Sequence, residues 1–185
     1  MNFLKAQIQP HFFFNTLNNL YSLTLKKSDQ APEIVLKLSA LMSYMLYESN
    51  TPKVSLSKEI TYLQNYLDLE KLRFGQRLIV TFEIEGHIED VNVPPMILIL
   101  FLENSFKHGV KNNLNKIRID ISLKVEGRVL SFGVKNPVTE NMLTGNTGIG
   151  LKNAKRRLEL LYGNNYSLDL SEKQNEFIVS LKMPV

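Results

Sequence analysis

The sequence predicts an α+β protein, an antiparallel helical hairpin followed by an α/β sandwich. Residues 2–50 keep a helical texture, with prolines only at 10 and 32 and no glycine. From Arg77 onward, short strand-like runs alternate with helices. Most of those strands are joined by tight turns, and an excess of hairpins over crossovers favours α+β over a doubly wound parallel fold.

Composition sets the outer limits. The 185 residues are 44% hydrophobic and 22% charged, which suits one sizeable core or a small helical module joined to an ordinary domain. Cysteine is absent, so neither a disulfide framework nor a thiolate metal site is available, which fits a reducing compartment. The longest strongly apolar run, Pro94 to Leu102, falls far short of the roughly 20 residues of a membrane span. No signal peptide is visible. The net charge of +4 is mild. The one basic cluster, Lys152, Lys155, Arg156 and Arg157, reads as a solvated helix face; nucleic acid would want a broader patch, and none is expected as a partner.

The first helix contains IQPHFFFNTLNNL, residues 8–20. A proline inside a helix costs roughly 3 kcal/mol, so Pro10 predicts an irregular backbone where His11 emerges. At about 100° per residue, Phe13, Phe14, Leu17, Leu20 and Tyr21 share one arc and read as anchors. His11, Asn15, Asn18 and Asn19 fall on the opposite arc. Asn15 lies one turn beyond His11, within reach of the same ligand. An exposed neutral imidazole is a competent nucleophile, and this placement suits a histidine that meets two active sites in turn. A lone surface histidine is the plainer alternative.

KKSDQAPE, residues 26–33, is the turn, with Ser28 or Asp29 as cap and Pro32 early in the next helix. That helix places Ile34, Leu38, Leu41, Met45 and Leu46 at helical spacing and ends at Thr51-Pro52. A third helix starts at about Ser57 as N-cap, carries Ile60, Leu63, Leu67 and Leu72, and stops at Gly75. LIVTFEIEG then reads as a strand, PPMILILFLENSFKHGV as a buried helix, and KIRIDISLKVEGRVLSFGVKN as two strands around Glu126-Gly127. Residues 137–147 form a loop. GIGLKNAKRRLELLYG is a helix that closes on Gly163, and YSLDLSE with EFIVSLKMP makes the last hairpin. The expected divisions are 1–52 (hairpin), 53–76 (linker helix) and 77–185 (sandwich domain).

Two further constellations bear on chemistry. In ENSFKHG, Asn104, Lys107 and His108 lie at i, i+3 and i+4 and share a helix face. An amide oxygen is a hard ligand for Mg²⁺ and a lysine is a point charge for phosphates, so this reads as a phosphate–metal site. It reads equally as a polar helix end with Gly109 as C-cap. In NTGIGLKN, Gly148 and Gly150 open a helix whose free N–H groups attract phosphate oxygens, or simply start it. Neither a Rossmann fingerprint nor a P-loop is present.

Taken in order, QPHFFFNTLNNL, VSLSKEITYLQNYLDLEKLRFG, ENSFKHG and GIGLKNAKRRLELLYG resemble the signatures of the LytS-type branch of bacterial sensor histidine kinases across nearly the whole chain. The resemblance implies a dimerisation and histidine-phosphotransfer hairpin followed by a GHKL-type ATP-binding domain. It implies His11 as phosphoacceptor, with Asn15 as a second catalytic residue and Pro10 shaping the helix there. Asn104 would hold Mg²⁺, and Lys107 and His108 would contact phosphates. Thr147, Gly148, Gly150 and Leu151 would line the nucleotide where the lid, roughly 137–147, meets its helix. Glu103 would orient the histidine or a metal-bound water. The implied cofactors are ATP and Mg²⁺, and the implied partners are a response regulator and a second copy of the chain. The chain reads as a cytoplasmic fragment of a membrane-anchored parent.

Three departures accompany the resemblance. Phe12 follows the histidine, where many kinases of the wider superfamily have an acidic base. Asn136 stands where the adenine-contacting aspartate belongs, followed by Pro137; each such hydrogen bond is worth only about 1 kcal/mol net, so weak ATP binding is expected. Asn146 and Thr147 replace the glycines that usually precede Gly148. A degenerate kinase acting as scaffold or phosphatase, and a GHKL ATPase with a structural histidine, are the alternatives.

Overall fold

The computed structural model describes residues 10–109, 116–138 and 149–185, with Lys107, His108, Gly109 and Ile149 described by backbone alone. The chain opens with a helical hairpin, α1 (Pro10–Leu25) and α2 (Ala31–Ser43). α1 ends on Lys27 in the left-handed region (φ 52), with the Ser28 amide donating to the Leu23 carbonyl at 3.0 Å. Neither Ser28 nor Asp29 caps α2. The N-cap is Gln30, whose own amide donates to Ser28 Oγ at 3.3 Å. α2 then widens into a π-helical turn, Tyr44–Glu48, closed by the Ser49 amide on the Tyr44 carbonyl at 3.2 Å. This turn resets the phase of the helix. Tyr44 goes into the core beside Ile34, Leu38 and Leu41, Met45 is half-buried, and Leu46 points to solvent, contrary to its spacing.

The anchors of α1 also differ from expectation. Phe12 and Thr16 are buried, with Phe13, Leu20 and Leu23 half-buried, whereas Phe14, Leu17 and Tyr21 are exposed. α1 therefore carries two apolar stripes, and only the one through Phe12 faces the rest of the chain. Phe12 stacks on Tyr66 with centroids 4.7 Å apart, and Tyr66 meets Phe106 edge-on at 5.6 Å.

α3 (Leu56–Phe74) starts one turn-residue pair earlier than its sequence suggests, because Ser55 rather than Ser57 is the N-cap, accepting from the Lys58 amide. It stops at Gly75 (φ 58). Just ahead of it, β1 (Val54–Ser55) pairs antiparallel with β3 (Asn92–Val93), and the Leu56 amide donates to the Val91 carbonyl at 2.8 Å. Two residues per strand are too few for periodicity to register, and the ladder was not expected. It fastens the head of α3 to the segment leading into the next helix.

The main sheet has five strands: β2 (Leu78–Glu85), β4 (Ile117–Glu126), β5 (Val129–Pro137), β6 (Ser167–Lys173) and β7 (Glu176–Pro184), in the order β2-β4-β5-β7-β6. β2 and β4 are parallel and the other pairs antiparallel. β4 buries Ile117, Ile119, Ile121, Leu123 and Val125 in strict alternation and turns Arg118, Ser122, Lys124 and Glu126 outward. Onto the buried face pack α4 (Ile99–Gly109), which lies in the β2–β4 crossover, and α5 (Ile149–Tyr162), which connects β5 to β6. The result is the expected α+β sandwich behind a helical hairpin. Gly86 (φ 89) sits so close to the sheet that a Cβ there would lie 2.0 Å from the Val125 carbonyl oxygen, which leaves glycine as the residue that fits. The apolar run before α4 is a turn over 94–98 rather than helix, with Met96 at φ 58.

That turn is held by a carboxylate. Glu59 of α3 is 0% exposed; it accepts from the Met96 amide at 2.9 Å and the Leu98 amide at 3.3 Å, and Tyr44 Oη donates to it. The guanidinium of Arg157, on α5, lies near enough for the two charges to interact. Glu59 heads a polar seam along α3: Tyr44 stacks on Tyr62 at 4.5 Å, Tyr66 Oη donates to Glu70 Oε1 at 3.1 Å, and Glu103 of α4 faces Tyr62, Tyr66 and Glu70. Burial raises the carboxyl pKa of Glu59 and Glu70. Burial, aided by the charge of Glu70, pushes Glu103 up to about 8.

Glu59→Ala leaves two amides and a phenol unmatched, and is expected to cost about 3–5 kcal/mol of unfolding free energy, with Glu59→Gln costing less. Urea denaturation checks this; a loss below about 1 kcal/mol in the alanine variant would show that the junction bears little weight. Glu103 gives a pH signature. Its folded pKa, about 8, lies above the ordinary 4.5, so the fold holds the proton more tightly than the unfolded chain does. Its contribution is complete below 4.5 and declines as pH rises to about 8, by roughly 1.4 kcal/mol per pH unit. Glu103→Gln should flatten that part of the stability–pH curve and exceed the parent in stability at pH 8. An unchanged slope would contradict the burial argument.

Candidate functional site

His11 stands exposed in the first described turn of α1. Pro10 is the first described residue of that helix. The backbone before it, where an interrupted ladder would fall, lies outside the described residues. The three phenylalanines after His11 divide the work. Phe12 is driven into the core against Tyr66, Phe13 packs edge-on against Phe12 at 5.5 Å, and Phe14 is 66% exposed. Burying Phe12 turns the adjacent imidazole outward. Asn15 follows one turn later, with its amide nitrogen 3.0 Å from His11 Nδ1 and 3.5 Å from Nε2.

The second group of residues sits where α4 packs against both β5 and α5. Asn104 is 7% exposed, and its Nδ2 has no partner among the described residues. Asn136, on β5, is 1% exposed; its Nδ2 donates to the Pro137 carbonyl at 3.1 Å, while Oδ1 has no partner among the described residues. A buried amide atom left unpaired costs about 1–3 kcal/mol, and here two occur on touching elements. Gly150 opens α5, and a Cβ there would meet nothing within 4 Å. Its smallness is thus not demanded by packing among the described residues. Leu151 buries its side chain in the core, so only its backbone is left to face a ligand.

Glu103, half-buried beside Asn104, turns toward the α3 seam and has no hydrogen-bond partner among the described residues. With its pKa at about 8 it holds its proton at neutral pH, which adds a donor to its acceptor oxygen. Thr147 and Gly148 lie outside the described residues, as do the side chains of Lys107 and His108. Among the described residues, no three His, Asp or Glu side chains gather as a metal site. A Mg²⁺ ion held by one amide oxygen and by phosphates needs no such cluster; the unpartnered atom of Asn104 is its nitrogen, so Asn104 suits the ion only with Oδ1 turned into the site.

Two contributors to the site's framework, Glu59 and Arg157, were not anticipated. Glu59 resembles an ordinary first-turn acid complementing the helix dipole. The signal that would have found it is its phase: Glu59, Leu63, Tyr66 and Glu70 fall on one stripe of α3, and all are buried. Arg157 was grouped with a solvated basic face. Instead it is half-buried, with Nη1 enclosed and unpartnered, while Lys152, Lys155 and Arg156 are exposed.

Comparison with known proteins gives a consistent picture. The histidine kinase family model matches residues 1–78. The sensor protein LytS of Staphylococcus epidermidis is 29% identical over 194 residues, covering 98% of this chain and 33% of that protein. LytS of Oceanobacillus iheyensis is 30% identical over 200 residues, covering 100% of this chain and 34% of that protein. The sensor histidine kinase/phosphatase LytS of Staphylococcus aureus is 31% identical over 179 residues, 89% of this chain and 31% of that protein. The chain thus spans about a third of the length of the curated relatives it matches. Among solved structures, the catalytic domain of the histidine kinase ThkA superposes with a TM-score of 0.53 at 18% identity, covering 71% of this chain and 95% of that one. ThkA in complex with the response regulator TrrA gives 0.50 at 14% identity, covering 94% and 59%. The fold is that of a histidine kinase catalytic region, and the chain belongs to the LytS-type sensor histidine kinase family.

Proposed function

We propose that this chain transfers the γ-phosphoryl group of ATP to His11 and passes it on to an aspartate of a separate response regulator. The observation that carries the reading is the pair of buried, incompletely paired amides on α4 and β5, set apart from a histidine held outward on α1. Asn136 Oδ1 is an acceptor suited to the exocyclic amino group of adenine, and its amide nitrogen is already fixed by the Pro137 carbonyl. Asn104 would hold Mg²⁺, which when bound supplies positive charge against the phosphate oxygens. Lys107 and His108 keep their assignment as phosphate contacts on their place in the sequence.

In the transfer, the bond from the γ-phosphorus to its bridging oxygen breaks, ADP leaves, and a bond forms to a ring nitrogen of His11. The chain's part is to orient the two groups in line and to neutralise charge on the transferring phosphoryl. The outward stripe of α1, Phe14, Leu17, Tyr21 and Leu25, recurs at helical spacing and is exposed. A second copy would cover it in a four-helix bundle with α2. Input and membrane-anchoring regions of a longer parent would lie outside this chain.

The relative named as kinase and phosphatase favours a second reading, in which dephosphorylation of the regulator is the main output. Incubation with γ-labelled ATP separates the possibilities. Label that is stable in base, labile in acid and lost in His11→Gln is expected. Nucleotide binding without label would indicate an ATPase with a structural histidine, and neither signal would indicate a scaffold. Gly150→Ala tests the nucleotide site separately. Because a Cβ meets nothing within 4 Å, thermal stability should hold or rise by up to about 1 kcal/mol. Nucleotide affinity should fall, as read by titration; an unchanged affinity would remove Gly150 from the site.

A further inference from the structure

We infer that the free edge of β2 is a pairing surface for a second copy of this chain, with β2 running antiparallel to β2 about a two-fold axis at Thr81. β2 ends the sheet, so along one side its backbone N–H and C=O groups have no strand partner among the described residues. A long exposed edge is a template for another strand unless charge, proline, a bulge or shortness blunts it. The opposite edge is blunted: β6 has seven residues, and Asp169, Glu172 and Lys173 are among them. β2 has eight, LIVTFEIE, without proline or lysine, and the first five carry no charge. Its side chains are left uncovered as well. Through the parallel ladder, Val80, Phe82 and Ile84 share a face with Ile119, Ile121 and Leu123 of β4. Those three β4 residues are buried, whereas Val80 and Phe82 are half-buried and Ile84 is 37% exposed. The apolar face of the sheet therefore runs out uncovered beside unpaired backbone.

Symmetry and charge identify the occupant. A two-fold axis between antiparallel strands keeps the faces of the sheet, so one residue must lie on the axis opposite its own copy. With Thr81 there, Val80 lies opposite Phe82 of the second copy and Leu78 opposite Ile84, which makes the core side apolar throughout. On the open side Thr81 meets Thr81, Ile79 meets Glu83, and Arg77 meets Glu85. Aromatic with β-branched, threonine with threonine and opposite charges are pairs that stabilise an antiparallel ladder. Moving the axis to Phe82 sets the two Glu83 side chains on a diagonal and places Glu85 opposite Ile79. Moving it to Val80 shortens the overlap within β2 to residues 78–82. Charge and overlap together select Thr81. This contact is separate from the outward stripe of α1 and uses no part of the nucleotide site.

The chain has no cysteine, so a single introduced cysteine reports its own surroundings. Thr81→Cys brings two thiols within disulfide reach only if the strands pair in this register. Dilute protein oxidised with copper phenanthroline is expected to give a reducible dimer band on electrophoresis. Its yield should exceed several-fold that of Ile79→Cys, on the same strand off the axis, and of Ser167→Cys, on the β6 edge. Adding Ile84→Lys to Thr81→Cys sets an ammonium against Leu78 of the second copy and should cut the yield several-fold. Circular dichroism confirms that each variant is folded. Equal crosslinking at positions 79, 81 and 167, or an unchanged yield with Ile84→Lys, overturns the inference. So does a folded Thr81→Cys variant that is dimeric by light scattering yet does not crosslink, since its contact then lies elsewhere.

Discussion

The arrangement of the site depends on one buried carboxylate. Glu59 gathers a phenol from the π-helical end of α2, two amides from the turn that begins α4, and the charge of Arg157 on α5. The free N–H groups at a helix start must be matched when water is excluded. Here the match comes from another helix rather than from a local cap, so the start of α4 is placed by α3 instead of by its own loop. Met96 holds φ 58 at the same point, a conformation that costs a residue with a Cβ and persists only where its surroundings enforce it. Asn104 lies six residues beyond Leu98 on that helix. Its position traces back to Glu59.

The aromatic contacts make a second connection between the hairpin and the sandwich. Phe12, Tyr66, Phe106 and Phe74 touch in series, and the Arg73 guanidinium covers Phe74 at 4.7 Å. One end of this series is the residue next to His11, and the other lies on α3 and α4 beside the polar seam. Rings resist partial displacement because their contacts are close-packed. Fixing Phe12 therefore fixes the direction in which His11 points.

The elements that could be read from the sequence are those whose burial follows a period. The alternation in β4 and β5, the turn at Glu126-Gly127, the stop at Gly75 and the helix closing on Gly163 all correspond to the structure because each has a local cause. What could not be read had a cause elsewhere in the chain. Either apolar stripe of α1 could face inward, and the choice fell to Phe12 because Tyr66 is there to receive it. The π-helical turn shifts Leu46 out and Tyr44 in, driven by the partner that Tyr44 finds in Glu59. The burial of Glu59 depends on donors brought to it from α2 and from the turn before α4. In the candidate site, Asn104, Asn136 and Gly150 were legible as residue types, whereas the incomplete pairing of the two amides belongs to the packed state alone.

Among the described residues the two amides share that incomplete pairing with Tyr62 Oη, Arg157 Nη1 and Tyr162 Oη, while other buried groups are matched. Glu59 has three hydrogen bonds, Glu70 has Tyr66 and Arg73, and Ser105 donates to the Phe101 carbonyl. A fold able to satisfy a fully buried carboxylate has the means to satisfy a neutral amide. Asn104 precedes Ser105 on one helix, so the two share the same local backbone, yet Ser105 Oγ is paired while Asn104 Nδ2 has no partner among the described residues. Aspartate at position 136 would bring an unneutralised charge into a place 1% exposed, where desolvation is severe. Asparagine presents an acceptor there at lower cost in the empty state, and gives up the charge that would strengthen a hydrogen bond to a donor. Stability without ligand and affinity for it are thus opposed at this position, and the side chain present favours the first.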